Sequence, residues 1–139
     1  MGKRILVVEP SPTLRAILQM YFERDGHQVA LFEDYQAATQ ALPRFQIEPP
    51  ELAFVALHAN RPESFDLVRA LRQQYAWVRL VLLIMQEESN QFAVQRLVET
   101  AQAAALLKPF SIKDVLALVA TSVLDANAAL GGANLKRES

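Results

Sequence analysis

The sequence predicts a single α/β domain, a doubly wound sheet of five parallel strands covered by helices on both faces. Three observations carry that reading. Short aliphatic or β-branched runs alternate five times with stretches of helical periodicity. Two of the runs, Leu52 to Leu57 and Leu80 to Met85, are unbroken apolar stretches, as strands buried on both faces must be. The connections between elements are short, and 52% of the 139 residues are hydrophobic, enough for one core but too few residues for a second domain.

Taken in order, Ile5 to Val8 is the first strand and ends at Glu9-Pro10. Ser11 offers an N-cap oxygen and Pro12 suits the first helical position. Leu14, Ile17, Leu18, Tyr21 and Phe22 then recur at helical spacing up to Gly26, the expected left-handed C-cap. Gln28 to Phe32 is the second strand, and Asp34 caps a helix with Ala37, Ala38, Ala41 and Leu42 inward, stopped by Pro43. Leu52 to Leu57 is the third strand. The helix after it turns Phe65, Val68 and Leu71 inward and ends near Gln74, and Trp77 is expected to pack in the next connection.

Arg79 to Met85 reads as a central fourth strand. Glu87-Glu-Ser-Asn-Gln is expected to open the fourth helix, where its dipole favours acids, with Val94, Leu97, Val98 and Ala101 as the buried stripe. Phe92 then falls near the opposite face, unless the helix starts late and Phe92 tucks into the strand-four loop. Ala104 to Leu107 is a short fifth strand, Lys108-Pro109-Phe110 a turn, and Ser111 caps a last helix with Ile112, Val115, Leu116, Val119 and Val123 inward. The domain is assigned to residues 1–122. Residues 123–139 are read as an extension of helix five and a flexible tail.

Composition narrows the function. Lys and Arg number 14 against 15 Asp and Glu, so the chain lacks the basic excess that direct nucleic-acid binding uses. There is no cysteine, which removes disulfides, thiolate metal sites and thiol nucleophiles. No apolar run approaches the length of a bilayer span, and no signal-type segment precedes the first strand. A cytoplasmic, non-membrane protein is expected.

For five such units the flavodoxin-like strand order 2-1-3-4-5 is the first choice. It sets the ends of strands one and three side by side, making Glu9, Pro10 and Ala56 neighbours, and brings Lys108 close. An alanine at the end of the central strand can neither attack a phosphoryl group, nor bind a metal, nor move a proton. His58 and Glu9 supply two possible metal ligands without a third, a weak offer. His58 is read as a loop histidine, His27 as exposed with no evident partner, and Arg61 as a surface charge.

Three stretches, Lys-Arg-Ile-Leu-Val-Val-Glu-Pro, Pro-Glu-Leu-Ala-Phe-Val-Ala-Leu and Leu-Leu-Lys-Pro-Phe-Ser, resemble the landmarks of CheY-like response-regulator receiver domains, over roughly Lys3 to Thr121. In that family an aspartate ending strand three is phosphorylated from a histidine kinase. Two acids after strand one hold Mg²⁺, a Thr or Ser ends strand four, and a lysine before a proline follows strand five. Carried over without gaps, these positions fall on Ala56, on Glu9 and Pro10, on Gln86, and on Lys108. The aromatic switch position falls on Ala105, and the glycine after helix four on Ala101. Only Glu9 and Lys108 keep suitable chemistry. The resemblance therefore implies a degenerate phosphorylation pocket: a pseudo-receiver of the two-component, phosphorelay type, without catalytic residues, metal or cofactor.

Glu9 alone is a poor site for Mg²⁺, which wants one or two carboxylates plus waters, and a Glu9–Lys108 ion pair is expected instead. The Lys108-Pro109 bond is expected to be cis, directing the ammonium to Glu9. The resemblance also implies action through protein–protein contacts with an output domain, kinase or regulator. The surface of helix four, strand five and helix five, carrying Phe92, Glu99, Ala105 and Leu118, would meet them or form a homodimer, helped by an apolar extension from Ser122 to Leu130. Two alternatives stand beside this reading. One is a receiver activated through a non-standard acceptor. The other is a flavin or small-ligand binder on the same scaffold, disfavoured because Glu9-Pro-Ser-Pro-Thr offers few N–H donors for a phosphate.

Overall fold

The computed structural model describes residues 2–46 and 48–120, leaving the Gln46 side chain aside. Its elements alternate as β1 (Arg4–Val8), α1 (Pro12–Arg24), β2 (Gln28–Phe32), α2 (Tyr35–Ala41), β3 (Leu52–Leu57), α3 (Pro62–Gln74), β4 (Arg79–Met85), α4 (Phe92–Thr100), β5 (Ala104–Lys108) and α5 (Ile112–Ala120). The five strands form one sheet in the order β2-β1-β3-β4-β5, every pairing parallel. This is the flavodoxin-like arrangement that the sequence predicts, and it makes β3 the centre.

Period-two alternation divides the core. Leu6, Val8, Val55, Leu57, Leu82 and Ile84 face one layer, packed by Tyr35, Val68, Leu71, Val94 and Leu97 of α2, α3 and α4. Ile5, Val7, Leu52, Phe54, Val81 and Leu83 face the other, against Leu18 and Phe22 of α1 and Val115 and Val119 of α5. All six side chains of β3 are buried. Each fully buried Leu, Ile or Phe contributes about 1.5–3 kcal/mol of transfer free energy, so the two clusters set the register firmly. A slip by one residue would exchange the layers.

The caps follow the sequence. Ser11 Oγ accepts from the Leu14 N–H at 3.3 Å with Pro12 in the first turn, Asp34 accepts from Gln36 at 3.1 Å, and Ser111 from Asp114 at 3.1 Å. Gly26 takes φ +86°, and Gly2 passes so close that a Cβ there would lie 1.8 Å from the Gly26 carbonyl oxygen.

Four local expectations are corrected. The acidic stretch after β4 does not open α4: Gln86–Glu88 forms a separate 3-10 turn and α4 begins at Phe92. The Ser89 hydroxyl and amide both donate back to the Gln86 carbonyl, at 2.7 and 3.2 Å, and the Gln91 N–H donates to Glu88 O at 3.1 Å, closing that turn as its own unit. The helix thus starts late, yet Phe92 does not tuck in; it is 75% exposed. In α2 the inward residue missed by the sequence is Tyr35, fully buried, while Ala37 is exposed. Trp77 is 62% exposed because Val78 takes the inward position, and Arg72 holds the connection by donating to the carbonyls of Ala76, Val78 and Ala101 at 2.7–2.8 Å. His27 has a partner, its Nδ1 accepting from the Lys3 N–H at 2.9 Å. The proposed extension of helix five lies outside the described residues. Among the described residues no helix is long and apolar enough to cross a membrane.

Candidate functional site

The parallel register ends with Val8 opposite Val55, so Glu9 and Ala56 stand one step further on, at the carboxyl end of the sheet. The Glu9 N–H continues the ladder to Phe32 O at 3.0 Å, which points the chain into the crevice before Ser11 begins the turn into α1. The Glu9 side chain is only 1% exposed. A buried carboxylate costs several kcal/mol unless charge and hydrogen bonds compensate it.

Both forms of compensation are present. Lys108, the last residue of β5, places Nζ 2.7 Å from Glu9 Oε1, and the Ser11 N–H donates to Oε2 at 2.9 Å. The Lys108-Pro109 bond is cis, as expected. Among the described residues no donor besides the Lys108 ammonium, 2.7 Å away, reaches Oε1. Arg15 adds a second fixed cation, its Nη1 donating to the carbonyls of Glu9 and Pro10 at 2.8 and 3.0 Å while Nη2 lies 3.5 Å from Glu33.

Ala56 contributes a buried methyl group and a carbonyl, and that carbonyl accepts from the Tyr35 hydroxyl at 2.7 Å. Burial first, and then the negative charge of Glu9, raise the Tyr35 pKa, keeping the hydroxyl a donor. The Arg61 guanidinium lies 5.3 Å over the Tyr35 ring. Tyr35 thus ties the start of α2 to the end of β3.

His58, one step beyond β3, is partly buried. Its N–H donates to the Ser64 hydroxyl at 3.2 Å, and its Nδ1 stands 3.9 Å from Glu88 Oε1, which also accepts from the Ala59 N–H at 3.2 Å. Burial, followed by the Lys108 ammonium, pushes the His58 pKa down, with Glu88 and Glu9 opposing. Among the described residues no three His, Asp or Glu side chains are grouped to hold a metal ion.

The remaining sequence candidates lie to one side of this pocket. Gln86, following the register partner of Lys108, is exposed and joins Glu99, Ala105, Val94 and Leu107 in lining a groove of about 740 Å³ between α4 and β5. Phe92 stands at the start of α4, and Leu118 is half-buried against the α1–α5 core. Sequence reasoning therefore assembles Glu9, Pro10, Ala56 and Lys108 correctly at the strand ends but misses Arg15, Tyr35 and Glu88. Glu88 reads from the sequence as helix-dipole complement. Tyr35 carried a usable signal, a large aromatic directly after a capping Asp on the inward phase of α2.

Comparison with known proteins agrees with this geometry. The model of the response regulator receiver domain family matches residues 5–120. The chain is 25% identical over 138 residues to the alkaline phosphatase synthesis transcriptional regulatory protein PhoP of Bacillus subtilis (strain 168), covering 99% of this chain and 55% of that protein. It spans about half the length of the curated relatives it matches. Among solved structures it is similar to a CheY-like receiver domain protein from Methanospirillum hungatei JF-1, with TM-score 0.71, 16% identity and coverage of 95% of this chain and 98% of that one. It is also similar to the Vibrio cholerae chemotaxis protein CheY4, with TM-score 0.66, 20% identity and coverage of 84% and 94%. With its strand order, its strand-end crevice and a family match over most of its length, the chain belongs to the response regulator receiver domain family.

Proposed function

We propose that this receiver domain works as a pseudo-receiver, a non-catalytic cytoplasmic signalling module of a two-component pathway that acts by protein contact without aspartyl phosphorylation. One observation carries the reading: the position where the family's phosphoacceptor falls holds Ala56, and the remaining acid, Glu9, is already engaged by Lys108. Mg²⁺ does not fit these residues. It needs oxygen ligands, usually one or two carboxylates with waters. Pro10 has no side-chain oxygen, and Glu9 gives one oxygen to an ammonium and the other to a backbone N–H. The Lys108 ammonium supplies at Glu9 the positive charge that a diffusible cation would otherwise offer.

Output then falls to surface. The short side chain of Ala105 leaves the groove beside α4 open, and exposed Phe92 sits at the head of that helix. This face is assigned to a protein partner, whether an output domain, a kinase or a second copy of the chain. The chain's coverage of about half of each curated relative accords with an output domain as one such partner. Thermal melting with and without millimolar Mg²⁺ and beryllofluoride tests the pocket: the midpoint is expected to stay unchanged, and a clear rise with both present overturns the reading.

A further inference from the structure

Beside the ion pair the pocket holds a histidine that the pair does not use. His58 sits between two loops that in this fold flank the strand ends, the β3–α3 connection and the 3-10 turn that leads from β4 into α4. Every charged group that faces it comes from a different segment: Glu88 from the 3-10 turn, Lys108 from β5, Glu9 from the end of β1, and Arg61 from its own loop. The two loops are already joined on one oxygen. Glu88 Oε1 accepts from the Ala59 N–H at 3.2 Å and lies 3.9 Å from His58 Nδ1, within ion-pair range but too long for a hydrogen bond to a neutral ring. Side-chain exposures of 18% and 16% keep bulk water from screening the pair.

The backbone of this joint is anchored on both sides. Ser64, fully buried at the start of α3, accepts from the His58 N–H at 3.2 Å, and its single O–H donates to the Arg61 carbonyl at 2.7 Å with the His58 carbonyl also in reach at 3.2 Å. Glu88 passes its carbonyl to the Gln91 N–H at 3.1 Å, one residue before α4 begins. Movement of Glu88 is therefore communicated to the first turn of α4 and to exposed Phe92, and not dissipated in a free loop.

We propose that His58 is a proton-responsive joint: a proton on its ring converts the gap to Glu88 into a charged hydrogen bond and sets a second cation near Lys108. Attraction to Glu88 and repulsion from Lys108 act together, drawing the 3-10 turn towards the β3–α3 connection and shifting the head of α4. Two residues beyond Ala56, where the family's phosphoacceptor falls, the same strand-end crevice would here read a proton. The cost of burying the imidazolium beside Lys108 places the response on the acid side of an ordinary histidine, in agreement with the downward pKa shift.

The chain has two histidines, so their ring resonances are separable with a single variant. The full-length protein, isotope-labelled, is titrated by NMR from neutral to mildly acidic pH. The expected result is a His58 midpoint below the ordinary imidazole value, with the amides of Ala59, Glu88, Gln91 and Phe92 shifting at the same midpoint. In Glu88→Gln the ring still titrates, at still lower pH, but the Gln91 and Phe92 amides no longer follow it. In His58→Asn these amide shifts are lost. The proposal is overturned if His58 stays neutral down to acid unfolding, if it titrates while the amides at the head of α4 stay fixed, or if those amides move equally in His58→Asn.

Discussion

Replacing Lys108 by Met removes the ammonium paired with a carboxylate that is 1% exposed. At 2.7 Å, an effective dielectric of about 20 gives roughly 6 kcal/mol of attraction. Lys108 is 21% exposed, so water screens part of it, and the loss on breaking such a pair is about 3–4 kcal/mol. The Ser11 N–H still serves Oε2, but among the described residues no other donor reaches Oε1. The midpoint of thermal unfolding should fall by on the order of 10–20 °C at neutral pH. Glu9→Gln should cost less, about 1–2 kcal/mol, since Lys108 can turn its ammonium to solvent. The double variant Glu9→Leu, Lys108→Met should recover most of the single loss, because removing both members of a buried pair is close to neutral. Circular dichroism melts of the parent, Lys108→Met, Glu9→Leu and the double variant close the cycle. A Lys108→Met protein within about 1 kcal/mol of the parent, or a double variant no better than the single, would refute the reasoning.

Three further outcomes are expected. Tyr35→Phe leaves the buried Ala56 carbonyl without its donor and should cost about 1–3 kcal/mol in chemical denaturation, despite removing a single oxygen. Because the folded-state pKa of Tyr35 lies above its unfolded value near 10, its contribution is complete below that pH and is lost as pH rises beyond it. Alkaline stability curves should therefore steepen in the parent and less so in Tyr35→Phe. Arg72→Met strips donors from the carbonyls of Ala76, Val78 and Ala101 and should cost about 2–4 kcal/mol, with hydrogen exchange rising at the turn before β4. Trp77→Ser, beside it, should cost far less, about 0.5–1.5 kcal/mol, because its side chain is mostly in water and meets the Tyr75 ring edge-on at 5.8 Å.

How much the sequence discloses depends on the range of the interaction. The apolar run of β3, the caps Ser11, Asp34 and Ser111, and the glycine at 26 act within a few residues, and each is where the pattern puts it. Strand order follows from five βα units with short connections, and it brings Glu9 and Lys108 together across 99 positions of chain. What could not be read are contacts set by side-chain reach in three dimensions. Tyr35 spans from α2 to Ala56, and Arg72 from α3 to the end of α4. Helix four shows a different limit: Glu87 and Glu88 suit a helix start by charge, but Ser89 competes by bonding back to Gln86, and that local bond decides the boundary. Phe92 is 75% exposed, on the side away from the buried stripe where its helical spacing puts it, although the helix starts late.

The central claim is that the strand-end pocket is closed by an internal ion pair and takes no phosphoryl group. Its most direct test is intact-mass spectrometry of the full-length protein after incubation with a small phosphodonor and Mg²⁺. The account predicts an unchanged mass. A gain of one phosphoryl group that requires Mg²⁺ and is lost in base would contradict it and would assign the chemistry to an acid other than position 56.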